Sequence, residues 1–185
     1  HGRGFWVIDD ISPLRQLNDA VLQAEAWLFK PAEAINVLQG GENGTPLQKD
    51  EPQASNPPNG AIIDYYLRAG ASAPVSLEIL DASGTVLRSF SSEPAAQPAA
   101  PAGRAGVAGG IPSTSALWRP APEPFSAAAG MHRVVWTPGA GGGAGGGFAG
   151  RGGAARLTGT FAARLTVNGK SYTQSFTIKP DPRTR

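Results

Sequence analysis

The stretch from Gly159 to Lys179, GTFAARLTVNGKSYTQSFTIK, constrains the fold more than any other part of the chain. Asn168-Gly169 is the dipeptide that best tolerates the two positive-φ positions of a type I′ turn, so a two-residue hairpin loop is expected there. A two-residue loop keeps a constant index sum across the pair. Val167 then faces Lys170, Leu165 faces Tyr172, Ala163 faces Gln174, Phe161 faces Phe176 and Gly159 faces Ile178. Alternation puts all of these on one face. The other face carries Thr160, Ala162, Arg164, Thr166, Ser171, Thr173, Ser175, Thr177 and Lys179 and is polar almost throughout. One face is predicted to be core and the other solvent, as in one sheet of an antiparallel sandwich.

How much of the chain can share that core follows from composition. With 25 Gly, 17 Pro and 8% aromatic residues in 185, and with much of the apolar count being alanine in low-complexity stretches, the core must come from a few dozen large apolar side chains. The formal charge of +2 comes from scattered Arg and Lys, without a basic run or basic-aromatic interleaving, so the charge pattern gives nucleic-acid binding no support. The absence of cysteine excludes disulfides, thiol catalysis and thiolate metal sites. No apolar run approaches the roughly 18 residues of a membrane-spanning helix. The sequence opens at His1 within a strand-like stretch and without an initiator Met, which reads as a fragment or a processed product.

In chain order, Phe5 to Ile8 reads as a short strand ending at Asp9-Asp10. Ser12-Pro13 supplies an N-cap and a proline at the first helical position, so a helical turn is expected over Pro13–Leu17, and Asn18 is placed to cap a second through Ala24. Trp27-Leu28-Phe29 is a compact apolar cluster, read as a strand or docking segment. The composition from 39 to 58 marks a linker, and Asn43-Gly44-Thr45 within it matches the glycosylation triplet. Gly60–Arg68 predicts a strand with Ile63, Tyr65 and Leu67 on one face. Val75 to Ile79, a loop at Asp81–Gly84 and Thr85 to Phe90 predict a second hairpin. The Ala/Pro/Gly-rich stretch 91–115 reads as a mobile insertion, because it cannot bury enough apolar surface to offset the entropy of ordering. Met131–Trp136 is a further strand, with His132, Val134 and Trp136 on one face. A flexible Gly/Ala loop at 139–156 leads back to the hairpin.

Residues that could carry chemistry have simpler readings. Gly141, Gly143 and Gly146 fit G-x-G-x-x-G, but no helix can start in poly-glycine, so a flexible loop is expected there. His1 and His132 lack the spacing of a zinc site, and His132 reads as a half-buried packing residue. Asp9 and Asp10 are adjacent, so on a strand their carboxylates diverge and read as turn or cap residues. Asp64 is expected to be exposed or paired with an arginine. No serine lies in a nucleophile elbow.

Several segments together carry a resemblance. HGRGFWVIDDISPLRQL is similar to the last strand and exit segment of bacterial β-propeller proteins with sortilin-like or neuraminidase-type repeats, and LFKPAEAINV to the run that follows it. NPPNGAIIDYYLR, PVSLEILDASGTVLRSF, GMHRVVWTP and GTFAARLTVNGKSYTQSFTIKPDPR resemble the C-terminal Ig-like, flagellar-hook-capping-type sandwich appended to those propellers. The resemblance implies an exported parent protein (periplasmic, cell-surface or extracellular), often classed with glycosyl hydrolases, whose active site would lie on the propeller. Two departures are visible: Thr137 stands where the pattern has an acidic residue, and the 139–156 tract replaces ordered loops.

The expected architecture is therefore all-β: an Ig-like or fibronectin-like antiparallel β-sandwich over 59–182, with insertions near 91–115 and 139–156. A propeller-exit segment over 1–38, comprising one strand and short helical turns, precedes it across the 39–58 linker. Trp136, Phe161, Leu165, Tyr172 and Phe176 are the expected core, while Phe5, Trp6, Trp27 and Phe29 are expected to dock the N-terminal segment. Function is expected to be that of a non-catalytic accessory module, with no cofactor or metal, packing on the propeller of the parent chain or mediating protein–protein contacts. Two alternatives come from other classes: a self-associating structural subunit joined through strand edges, and a carbohydrate-binding or hydrolase-associated module using aromatics such as Tyr66 or Trp118.

Overall fold

The computed structural model describes residues 8–37, 57–93, 124–138 and 157–184. In order they form two helical turns, α1 (Ser12–Arg15) and α2 (Asp19–Gln23), then β1 (Ala26–Leu28), β2 (Ala34–Asn36), β3 (Ala61–Leu67), β4 (Ser76–Leu80), β5 (Val86–Ser91), β6 (Gly130–Trp136), β7 (Gly159–Val167) and β8 (Lys170–Pro180). A 3-10 turn follows at Pro182–Thr184. The strands make two sheets, β1-β3-β6 and β2-β8-β7-β4-β5.

The β7–β8 hairpin has the register its turn dictates: Val167 opposite Lys170, Leu165 opposite Tyr172, Phe161 opposite Phe176 and Gly159 opposite Ile178. Asn168 and Gly169 have φ of 48° and 79°, both left-handed, as a type I′ turn requires. Far from being peripheral, this pair sits at the centre of the larger sheet, with β4 beside β7 and β2 beside β8. The second hairpin is β4–β5, whose loop is closed by Asp81: its Oδ1 accepts from the Ser83 and Thr85 amides at 2.8 and 2.9 Å.

One core joins the two sheets. Ile63, Tyr65 and Leu67 from β3 and Val134 and Trp136 from β6 belong to the same buried cluster as Leu77, Ile79, Phe161, Leu165, Phe176 and Ile178 of the larger sheet. Trp136 meets Phe161 edge-on at 5.1 Å between ring centroids and Phe176 at 6.1 Å. Such aromatic pairs add about 0.5–1.5 kcal/mol beyond the area they bury. Four of the five expected core residues are buried, whereas Tyr172 packs at the margin. Gly60 enters β3 at φ +119°, and a Cβ there would overlap the Trp136 carbonyl oxygen, so β3 and β6 approach more closely than any other residue would permit.

Three features depart from expectation. Residues 8–37 supply two strands, one to each sheet: β1 pairs antiparallel with β3, and β2 pairs parallel with β8, the one parallel pairing among the described residues. Ile8 is not in a strand, and Phe5 and Trp6 lie outside the described residues. Ser12 is not the N-cap of α1. Ile11 holds that position without a side-chain cap, and Asp10 Oδ1 takes the Ser12 amide at 2.8 Å instead, which starts the turn one residue early. Asn18 does cap α2, accepting from the Val21 amide at 3.1 Å. The linker from 39 to 56, the glycosylation triplet, most of the 91–115 insertion and the 139–156 tract lie outside the described residues.

Candidate interaction surface

Parity along the strands of the smaller sheet sorts its residues. Ala26 and Leu28 of β1, Ile63, Tyr65 and Leu67 of β3, and Val134 and Trp136 of β6 point to the shared core. The outer face therefore carries Trp27 and Phe29, Ile62, Asp64 and Tyr66, and Met131, Arg133 and Val135. The register puts these in rows: Trp27 opposite Tyr66 opposite Met131, then Phe29 beside Asp64 and Arg133, then Ile62 opposite Val135.

An outer sheet face with that composition would be too apolar to leave wholly wet, and the N-terminal segment covers part of it, Phe29 most completely, while Met131 and Val135 stay exposed. Phe29 is 1% exposed, and Val21 and Pro13 of the two helical turns are buried, although none of the three belongs to the core between the sheets. They constitute a second, smaller apolar layer on the outer side. Polar contacts pin the segment at both ends and in the middle. Arg133 Nη2 donates to the Asp10 carbonyl at 2.8 Å. Gln16 bridges to Lys30, its amide nitrogen donating to the Lys30 carbonyl and its oxygen accepting from the Lys30 amide, both at 2.9 Å. Arg68 Nη1 donates to the Gln23 carbonyl at 3.1 Å. The segment thus crosses the sheet from the β6 edge to the β1 edge and returns into β1.

The arginine that anchors the segment at β6 is itself held by an ion pair across the sheet. Arg133 Nε and Nη2 donate to the two carboxylate oxygens of Asp64 at 2.8 and 3.2 Å, and the Asp64 side chain is only 6% exposed against 33% for Arg133. Burial pushes the Asp64 carboxyl above its ordinary value despite the guanidinium, while the bonds to Asp64 hold Arg133 firmly charged. Asp64 is therefore paired with arginine and buried, not exposed. At the β1 end, Glu25 accepts from Asn168 Nδ2 at 2.8 Å and from Lys170 Nζ at 2.6 Å, so the hairpin turn of the larger sheet clips onto the start of β1. Those two hydrogen bonds, Asn168 first, pull the Glu25 carboxyl below its ordinary value.

Of the residues expected to dock the N-terminal segment, Phe29 lies fully beneath it and Trp27 is half-buried. Phe29 is thus closed to an external partner while the segment is in place. His132 is half-buried, with its ring 5.0 Å from that of Tyr65 and its Nε2 2.7 Å from the Ala128 carbonyl. Tyr65 is also packed against Phe125, and its hydroxyl bonds the Ser126 carbonyl; burial raises its pKa to about 12. Thr137, at the position where an acidic residue was expected, donates its hydroxyl to the Asn59 carbonyl at 2.6 Å and ties the end of β6 to the approach to β3. Among the described residues no group of three His, Asp or Glu side chains is placed to hold a metal ion, and no helix is long and apolar enough to cross a membrane.

What the cover presents outward is unusual. Ile8, Ile11, Leu14, Leu17 and Leu22 are 60, 43, 46, 37 and 47% exposed, with Met131 and Val135 of β6 exposed on the same side of the sheet. Five exposed large apolar side chains within residues 8–22 are a high local density, and dense exposed apolar surface marks contact sites more often than single scattered residues do. The role of Gln16 and the bridging use of Asn168 carry no sequence signature, since both depend on partners fourteen or more residues away. No family model, curated protein or solved structure matches this chain.

Proposed function

We propose that this chain is a non-catalytic accessory module, an Ig-like or fibronectin-like β-sandwich of an exported protein, that packs on a β-propeller of the same polypeptide or mediates protein–protein contacts. The observation that carries this reading is the set of exposed large apolar side chains on the N-terminal cover, which is fixed on the domain by hydrogen bonds from Arg133, Gln16 and Arg68. The non-catalytic part draws support from how the ionisable groups are used. Asp64 is held by Arg133, Asp10 by the Ser12 amide, and His132 by the Ala128 carbonyl and the Tyr65 ring, so each is engaged in structure. The resemblance of the ordered segments to propeller-appended sandwiches supplies the class of partner. The test combines two assays on the 185-residue chain: turnover of aryl glycosides, and titration calorimetry against the polypeptide that precedes it in its gene. Binding without turnover is the expected outcome. Turnover, or a gene with nothing upstream to bind, overturns the reading.

A second reading, a self-associating subunit, is favoured by one observation. β5 and β6 each pair with a single strand among the described residues, and Val86 and Leu87 at the start of β5 are exposed. Light scattering over a concentration series separates it from the first, because self-association makes mass rise with concentration.

A further inference from the structure

We infer that Asn168 is a site of spontaneous deamidation, closing a succinimide ring on the Gly169 backbone nitrogen, and that the carboxylate left behind releases the clip between the hairpin turn and the start of β1. The reaction needs an asparagine followed by a residue whose backbone nitrogen is open to attack, and glycine, with no Cβ, leaves it most open. The Gly169 nitrogen bonds to the Asn168 Cγ and gives up its proton to solvent, the Cγ–Nδ2 bond breaks and ammonia leaves. Water then opens the ring at one of its two carbonyls. Opening at Cγ gives an aspartyl residue, and opening at the main-chain carbonyl gives an isoaspartyl one, whose backbone runs through the side chain. Nothing is oxidised or reduced, and water is the co-reactant. The turn suits this chemistry, because the ladder bonds beside a two-residue loop belong to Val167 and Lys170 and leave the Gly169 amide outside them, and both turn residues are exposed.

Two Asn-Gly pairs lie in the described residues, and the structure separates them. Asn59 is half-buried. Its Oδ1 accepts from the Val37 amide at 3.1 Å, its Nδ2 donates to the Val37 carbonyl at 3.0 Å, and its own carbonyl accepts from the Thr137 hydroxyl at 2.6 Å. Gly60 beside it is pressed against the Trp136 carbonyl, so the backbone there has little room to turn into a ring. Asn168 is held by exposed groups: its Oδ1 accepts from the Ser72 amide and hydroxyl at 3.2 and 3.1 Å, and its Nδ2 donates to Glu25 at 2.8 Å. These partners lie in the β3–β4 connection and just before β1, off the hairpin, so ring closure has to give them up. Solvent-exposed hydrogen bonds of this kind open locally without global unfolding, so they slow the reaction without stopping it. The product reverses the contact. Where Nδ2 donated, an aspartyl oxygen puts a second carboxylate against Glu25, whose bound cation is Lys170 at 2.6 Å. An isoaspartyl residue adds a backbone atom to a turn whose geometry depends on a two-residue loop.

Incubating the 185-residue chain in mildly alkaline buffer and following its tryptic peptides by mass spectrometry, against an unincubated sample digested in parallel, tests this. The peptide Leu165–Lys170 carries Asn168, and Asp50–Arg68 carries Asn59. Conversion at Asn168 is expected to run at least about tenfold faster than at Asn59. Glu25→Ala, which frees one end of the Asn168 amide at an exposed position, should speed conversion at Asn168 by about threefold to tenfold and leave Asn59 unchanged. Asn168→Asp reproduces the aspartyl product. An NMR titration of that variant should put the Glu25 midpoint above the one in Asn168→Ala, because a neighbouring carboxylate adds repulsion to the lost hydrogen bond. Conversion at Asn59 as fast as at Asn168, no conversion at Asn168 while the free peptide Leu165–Lys170 converts, or a rate not raised by Glu25→Ala overturns the site assignment. A Glu25 midpoint in Asn168→Asp no higher than in Asn168→Ala overturns the release of the clip.

Discussion

Removing Arg133 probes how the cover is held. In Arg133→Met the Asp64 carboxylate, with its side chain 6% exposed, loses both of its charged hydrogen bonds, and the Asp10 carbonyl loses its donor. Breaking one side of a buried pair costs about 3–5 kcal/mol, and the third of the Arg133 side chain that meets water argues for the lower end, about 3 kcal/mol at pH 7. The reverse change, Asp64→Asn, leaves a guanidinium that solvent can still reach and an amide oxygen that can accept one of its bonds, so its cost is smaller, about 1–2 kcal/mol. The pH dependence gives the sharper test. The carboxyl of Asp64 is raised above its unfolded value, so its contribution to stability is fully present below that unfolded value and is lost as pH rises through the folded one. Without Arg133 the folded value rises further. The deficit of Arg133→Met is therefore largest at neutral pH and shrinks as pH falls toward and below the unfolded value of 3.8, because the buried carboxyl takes up its proton first in the folded state. Urea denaturation of the wild type, the two single variants and the double variant at pH 7 and pH 4 measures all of this. A deficit equal at both pH values, or Asp64→Asn costing more than Arg133→Met, refutes the reasoning.

The remaining expectations are simpler. Phe161→Ala removes a ring packed against Trp136 and Phe176 and should cost about 3–5 kcal/mol by chemical denaturation; a loss under about 1 kcal/mol would contradict the hairpin register. Gly60→Ala combines a φ of +119° with a clash against the Trp136 carbonyl, so it should lower stability by more than the roughly 1–2 kcal/mol that a left-handed residue alone costs, whereas Gly84→Ala, at φ +86° in open space, should cost only that strain. An NMR titration of Glu25 should give a midpoint below 4.5, moving upward in Asn168→Ala; because the folded value is depressed, the stability it lends is present above its unfolded pKa and is lost as pH falls through the folded one.

Much of the larger sheet was legible in the sequence because its information is local. A two-residue Asn-Gly loop fixes every pairing from Gly159 to Ile178, and alternation then chooses the buried face. Asn18 likewise announced its cap, since the amide it accepts lies three residues away. The smaller sheet was less legible. β1 and β2 are three residues each, too short to show a period, and their partners lie far along the chain. Phe29 looked like an interface residue because an apolar cluster reads the same whether its cover comes from within the chain or from a partner. The Asp64–Arg133 pair was half visible: both residues alternate outward on their strands, but that they stand opposite each other follows only once β3 is known to pair with β6.

Whether the N-terminal segment is part of the folding unit decides the rest, because the proposed surface is fixed only if its support is. Native-state hydrogen exchange of the 185-residue chain as a function of denaturant measures this directly. The amides of β1 and of Phe29, which donates to the Asp64 carbonyl at 3.1 Å, are expected to open only with the global unfolding that exposes Leu165 and Phe176. Opening of Ala26–Phe29 at a free energy several kcal/mol below that of the β7–β8 hairpin would show a loosely held appendage and contradict the account.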